Sequence, residues 1–348
     1  MKTLKIIILI ICSFICFGCY DNKELNEIGI VTMMLTKYED NKYTTYVEVL
    51  NPKKEAEESS YFINGIGKTM EESVDNAEEN SYLEFDFSHM YTIIYNNEII
   101  DNHLNEISDF VIRNNQIRKD LNTYTSESIE SFLELKPKSD SSIGEMIWLI
   151  DKNQEKIGSN FYTSDFREIL HSRLNKDVFY IGEINVKNDT ISFDNIYICF
   201  NNKKIMTIDM KAILLYEILN KKINTFKFKD DVSYKAYKYK VRTKARKEEI
   251  IINIDINLRI VNTYDNNITS YEDITILEEN ASDYLEKLFL DSIDYSKEIG
   301  YDLYDLNGIY YGFYPKYKEE NSFKKLKVKL NINTNINEKG LTLKGGET

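Results

Sequence analysis

Apolar residues recur along this chain with two alternating periods, and the switches between them predict the elements. Residues 28–36 and 43–50 read as strands joined by a Glu39-Asp40-Asn41 turn. In the second, Tyr43, Thr45, Val47 and Val49 share one face, the period-2 pattern of a half-buried sheet. After a polar loop over 55–60 the period changes. Thr69-Met70-Glu71-Glu72 has the form of a helix capping box, and Met70, Val74 and Ala77 fall on one helical stripe. Residues 90–95 predict a short strand, and 99–112 a helix through Ile100, Leu104, Ile107 and Val111. A strand over 122–125 and a helical turn through Ile129, Phe132 and Leu133 close the first third.

The Pro- and Ser-containing stretch 136–142 is the most linker-like in the chain. Beyond it, 143–157 and 164–174 predict helices. Residues 178–186, 190–200 and 203–208 predict three strands with tight turns at Asn188-Asp189 and Asn201-Asn202, and 212–219 a helix. The last third is the most regular. Tyr237, Tyr239, Val241, Thr243 and Ala245 alternate with Lys238, Lys240, Arg242, Lys244 and Arg246. A turn at 247–249 leads to the even-numbered apolar row from Ile250 to Ile260, giving an antiparallel hairpin with one buried face. A long helix over 274–299 follows, with Gly300 as its C-cap, and 328–336 predicts a final strand. The class is α+β, with mostly antiparallel or mixed sheets flanked by helices, and no internal repeat is evident.

The start of the chain is of another kind. Lys2 and Lys5 precede an apolar run over 6–17 that is too short for the roughly 20 helical residues a bilayer requires. A short apolar run behind a positive end reads as an export signal. Phe17-Gly18-Cys19 and the polar residues after it have the arrangement of a bacterial lipoprotein, with cleavage before Cys19 and a diacylglycerol on its thiol. An ordinary cleaved signal and an uncleaved anchor are the alternatives. A Cys16-x-x-Cys19 redox pair is disfavoured, because such pairs need a folded electropositive surround. Cleavage would leave Cys199 as the one cysteine not acylated, so no intrachain disulfide is expected.

Composition narrows the function. With 42% hydrophobic residues in 348, the chain has ample material for a core. The formal net charge of −13 argues against general nucleic-acid binding. Against it, the row Lys238, Lys240, Arg242, Lys244 and Arg246 is a conspicuous exception. It is either a solvated strand face that blunts sheet pairing or a contact for anionic lipid headgroups or an acidic partner loop. Tyr304, Tyr310, Tyr311, Phe313, Tyr314 and Tyr317 form an aromatic cluster suited to core packing or docking.

Signals of catalysis are weak. Gly65-Ile66-Gly67-Lys68-Thr69 has the end of a phosphate-binding loop, but Phe62 stands where the first glycine belongs, so a strand-to-helix turn capped by Thr69 is expected. His89, His103 and His171 are the only histidines, and none are paired at metal-ligand spacing. Cys199 sits inside an apolar strand as a small buried hydrophobe. No catalytic residue, metal or cofactor is expected.

Three separated segments resemble the C subunit of bacterial spore germinant receptors, the Ger(x)C lipoprotein family. They are residues 18–27, beginning Gly18-Cys19-Tyr20-Asp21; the helix start Gly67-Lys68-Thr69-Met70-Glu71-Glu72; and the closing segment, with Tyr314-Pro315, the strand from Val328 and Gly340-Leu341. Tyr20 stands where that family has Trp, and the Trp usual after the Tyr-Pro pair is absent. The resemblance implies a non-enzymatic three-domain ectodomain, divided here as signal 1–18, N-terminal domain 19–136, middle domain 143–230 and C-terminal domain 231–348. It further implies a lipid anchor at Cys19 on the outer face of the spore inner membrane. There the subunit would work beside A-type and B-type membrane subunits in a nutrient-triggered response. A solute-binding lipoprotein of an importer is the alternative, although the two-lobed duplication of such proteins is not seen.

Overall fold

The computed structural model describes residues 27–51, 59–136, 141–157, 162–175, 178–201, 203–208, 210–230, 232–262, 271–317 and 322–338. The strands β1 (Ile28–Glu39), β2 (Lys42–Leu50) and β3 (Ser60–Gly67) form an antiparallel meander. Asp40 and Asn41 turn the first hairpin with φ of 50° and 60°, positive at both central positions as a two-residue hairpin turn of the right twist requires. Helix α1 (Met70–Glu79) follows, then β4 (Glu84–Asp86), β5 (Thr92–Asn96), a wide helical turn over Ile99–His103, α2 (Leu104–Arg113) and β6 (Asn122–Ser126). The next elements are α3 (Ile143–Ile157), β7 (Ser164–Asp165), α4 (Phe166–Asn175), β8 (Phe179–Lys187), β9 (Thr190–Phe200), β10 (Lys203–Ile208) and α5 (Met210–Leu219).

These strands make one sheet in the order β10-β9-β8-β6-β5-β1-β2-β3, with β4 on β1 and β7 on β6. Its centre is parallel, β1 to β5 to β6 to β8, and its two ends are antiparallel. The sheet runs without interruption across the linker-like stretch, since Tyr124 and Thr125 of β6 pair with Gly182 and Glu183 of β8. A parallel centre needs cover on both faces, and the sequence supplies it. Met34, Ile93 and Tyr95 pack among side chains of α1, α2 and α4 on one side, and Met33, Leu35 and Ile94 pack against Ile143 and Ile147 of α3 on the other.

The second sheet is β11 (Phe226–Lys229), β12 (Ser233–Arg246), β13 (Glu249–Asn262) and β14 (Lys327–Glu338), in that order. The predicted hairpin is β12–β13, and β14 lies parallel to β13 after a crossover through the long helix α6 (Tyr271–Ile299). Gly300 ends α6 at φ +85°, the left-handed conformation of a C-cap glycine. The even-numbered residues of β13 from Ile250 to Ile260 lie buried beneath Ala281, Leu285, Phe289 and Ile293 of α6. The short helix α7 (Leu306–Phe313) closes the hairpin end. Tyr304 and Tyr310 of the aromatic cluster are core, whereas Phe313 is exposed.

Candidate functional site

Cys19 lies outside the described residues. The basic row of β12 is fully described, and its placement follows from strand alternation. Ile250, Ile252 and Ile254 turn their partners Ala245, Thr243 and Val241 inward, so Lys238, Lys240, Arg242, Lys244 and Arg246 emerge on the opposite, exposed face. A bulge between Ala236 and Lys238 resets the alternation where the row begins. Successive cations stand roughly 7 Å apart along the strand. At that distance each adjacent pair repels by about 0.6 kcal/mol in water before screening.

The strand beside the row does little to relieve that repulsion. Opposite Lys238, Arg242 and Lys244 stand Asn257, Asn253 and Ile251, and only Asp255 and Glu249 oppose Lys240 and Arg246. Asp255 pairs with Arg242, its Oδ2 2.5 Å from the guanidinium. Among the described residues, the side chains of Lys238, Lys240, Lys244 and Arg246 make no hydrogen bond or ion pair. The sheet then adds charge that the sequence reading did not assemble. Parallel pairing sets Lys327 opposite Glu249 and Lys329 opposite Ile251, so the exposed lysines of β14 join Lys244 and Arg246 at the hairpin end. The one available signal was the alternation of Lys327 and Lys329 with Val328 and Leu330, but it could not say which strand would be the neighbour. Towards the other end β14 presents Asn331, Asn333 and Asn335, and Asn331 donates to Asn253 at 2.9 Å. The face is thus cationic at the hairpin and amide-rich beyond it, in a chain that is otherwise strongly acidic.

The sequence decoys resolve structurally. Gly65 and Gly67 end β3 against α1, where an added Cβ would come within 2.2 Å of Ala77 N and 2.5 Å of Ser73 N respectively. Glycine is needed for close helix–strand approach. Thr69 caps α1, its hydroxyl accepting from Glu72 N at 3.1 Å, while Glu72 accepts from Lys68 N at 2.7 Å. His103 stacks on Tyr38 at 3.7 Å, and His171 faces Asn175. Cys199 is fully buried, and burial pushes its thiol pKa far above the ordinary value. Among the described residues, no three metal-ligating side chains converge, and no helix is long and apolar enough to cross a membrane.

Two sheets backed by helices, with one sheet face basic and exposed among the described residues, define an α+β protein. Comparison with known proteins gives the family. Residues 21–186 match the spore germination protein N-terminal domain, and residues 197–340 match the spore germination B3/GerAC-like C-terminal domain. The chain belongs to this spore germination family. Its fold is similar to that of the crystal structure of the GerBC protein, at 13% identity and a TM-score of 0.56, over 88% of this chain and 97% of that one. No curated protein matches.

Proposed function

We propose that this chain is the lipid-anchored, non-enzymatic C-type subunit of a nutrient germinant receptor, held on the outer face of the spore inner membrane beside A-type and B-type membrane subunits. The observation that carries the reading is the pair of family matches, which span 21–186 and 197–340 in the family's order. Acylation of Cys19 supplies the anchor, and confinement to the membrane plane raises the effective concentration of the ectodomain for its partners. The basic face of β12 and β14 is the second membrane contact, resting on anionic phospholipid headgroups. Charge complementarity supports this choice: four unpaired cations of β12 join Lys327 and Lys329 on one open face, and each cation near an anionic leaflet contributes about 1 kcal/mol.

The receptor reading is tested by recovering the tagged chain from spore membranes at native expression. The expected result is copurification of both membrane-embedded subunits. Recovery without any membrane partner overturns it. For the face, the unacylated chain in which Lys240, Lys244 and Arg246 are changed to Gln is expected to bind vesicles containing anionic lipid about 100-fold more weakly than the unacylated parent at low salt. Unchanged binding, or equal binding to neutral vesicles, would refute the lipid contact.

A further inference from the structure

Helix α5 is apolar nearly all round, and Ile213, Leu214, Leu215 and Ile218 are buried in the core it shares with the second sheet. One residue breaks that pattern. Glu217 is only 4% exposed, yet its carboxylate accepts no hydrogen bond and makes no ion pair among the described residues. It lines a cavity of about 440 Å³ set between α3, the segment around β7 and α4, and the loop after α5. A carboxylate so poor in partners is costly to ionise, and it becomes an anion most readily when a cation enters the space it faces.

Lys152 also lines the cavity, and three further cations are matched within its wall. Arg118 pairs with Asp120 at 2.9 Å, Arg167 with Asp165 at 2.7 Å, and Lys222 with Glu168 at 2.5 Å. Lys222 also donates to the hydroxyl of Tyr162 at 3.0 Å. Asp151 accepts from Asn122 and Thr163. Glu217 is left as the acid without a hydrogen bond or ion pair among the described residues, since its nearest cation, Lys222, is taken by Glu168. The space beside it fits a solute of several heavy atoms rather than a bare ion, and Trp148 and Tyr162 give it aromatic walls. Lys222 already lies over the Tyr162 ring, 5.0 Å from its centre, so Trp148 is the wall left for an organic cation.

We propose that this cavity binds a small primary ammonium compound, with the ammonium donating to Glu217 and the rest of the solute lying along Trp148 and Tyr162. The inference is independent of the receptor reading. Burial holds the Glu217 carboxyl near pKa 8, opposed by the nearby Lys222. The groups facing it from the packed elements are Lys222 and Glu168, already paired, and the hydroxyls of Tyr162 and Tyr239. Below pH 8 the empty site is largely protonated, and an ammonium that favours the carboxylate expels that proton on binding.

The molecule carries its own reporter, since Trp148 is the single tryptophan of the chain. Titrating the full chain in detergent with propylammonium should give a saturable change in Trp148 fluorescence in the millimolar range, and 1-propanol should give none. Glu217→Gln should weaken the response at least tenfold while leaving the melting temperature at pH 6 close to that of the parent. A second measurement needs no variant: binding at pH 7 in weak buffer should release close to one proton per site. No saturable change, an equal response to 1-propanol, an unaltered response in Glu217→Gln, or binding without proton release would each overturn the proposal.

Discussion

Replacing Glu48 by glutamine probes how the first sheet is tied to α3. Glu48 lies on β2 opposite Met33, just after the bulge that β1 makes at Thr32, and is wholly buried. Each of its oxygens takes one peptide N–H and one hydroxyl. Oε1 accepts from Ile143 N at 2.6 Å and Ser60 Oγ at 2.6 Å; Oε2 accepts from Gly144 N at 2.8 Å and Thr32 Oγ1 at 2.8 Å. Ile143 and Gly144 begin α3, so the carboxylate caps a helix 95 residues away in sequence. A carboxylate so placed satisfies orphan donors and meets the positive end of the helix dipole. Glutamine can satisfy only one of the two peptide N–H groups, because its amide nitrogen must face the other. An unsatisfied buried donor costs about 1–3 kcal/mol, and loss of charge at the helix end up to about 2 kcal/mol. Glu48→Gln should therefore destabilise by about 2–4 kcal/mol, and Glu48→Ala by more, since both N–H groups then lose their acceptor. Gly144 leaves little room for repair by movement, as a Cβ there would meet Thr32 O at 2.5 Å. Urea unfolding followed by circular dichroism measures the difference. A loss below about 0.5 kcal/mol for Glu48→Gln, the range of ordinary surface changes, would refute the cap.

Other expectations follow from single contacts. Gly65→Ala should cost at least about 1–3 kcal/mol by forcing α1 off β3, read as a fall in the urea midpoint. Cys199 should resist thiol reagents in the native protein and react on unfolding, as peptide mapping would show; rapid native labelling would contradict its burial. Glu217 gives a pH dependence with a defined sign. Its folded pKa, raised to about 8, exceeds the unfolded value near 4.5, so the folded state binds the extra proton. That contribution is complete below pH 4.5 and is lost as pH rises to 8, by up to about 5 kcal/mol. Relative to Glu217→Gln, the parent should lose stability across that window, and parallel pH profiles would contradict the assignment.

Local signals made much of the fold legible. The turns at Asp40-Asn41 and Asn188-Asp189 use residues that tolerate positive φ, and the strands they join appear within one residue of their predicted bounds, except that β1 runs three residues further, to Glu39. The hairpin β12–β13 and α6 were legible for the same reason, since their periodicity is long and regular. Elements without a strong local pattern were less legible: β3, only half-buried and carrying glycines for α1, showed only in its turn into that helix, and β11, with four residues, was missed. The predicted helix over 99–112 begins instead as a wide turn over Ile99–His103 before α2. Long-range pairing was not legible at all. Nothing local says that β1, β5, β6 and β8 lie side by side, that the side of β2 carrying Glu48 is covered by α3, or that β14 sets Lys327 and Lys329 across β13 from Arg246 and Lys244. The basic row itself was plain in the sequence, whereas Glu217 gave a fainter signal, a lone acid within the apolar run 212–219.

The most direct test of the receptor reading is dipicolinate release from spores lacking this chain, complemented with either the parent or the Cys19→Ala form. Nutrients and a trigger that bypasses the receptors are applied in parallel. The expected result is that the deletion and Cys19→Ala spores fail on nutrients, the parent restores the response, and every strain answers the bypass trigger. Normal nutrient-triggered release from spores lacking the chain would contradict its role as a germinant receptor subunit.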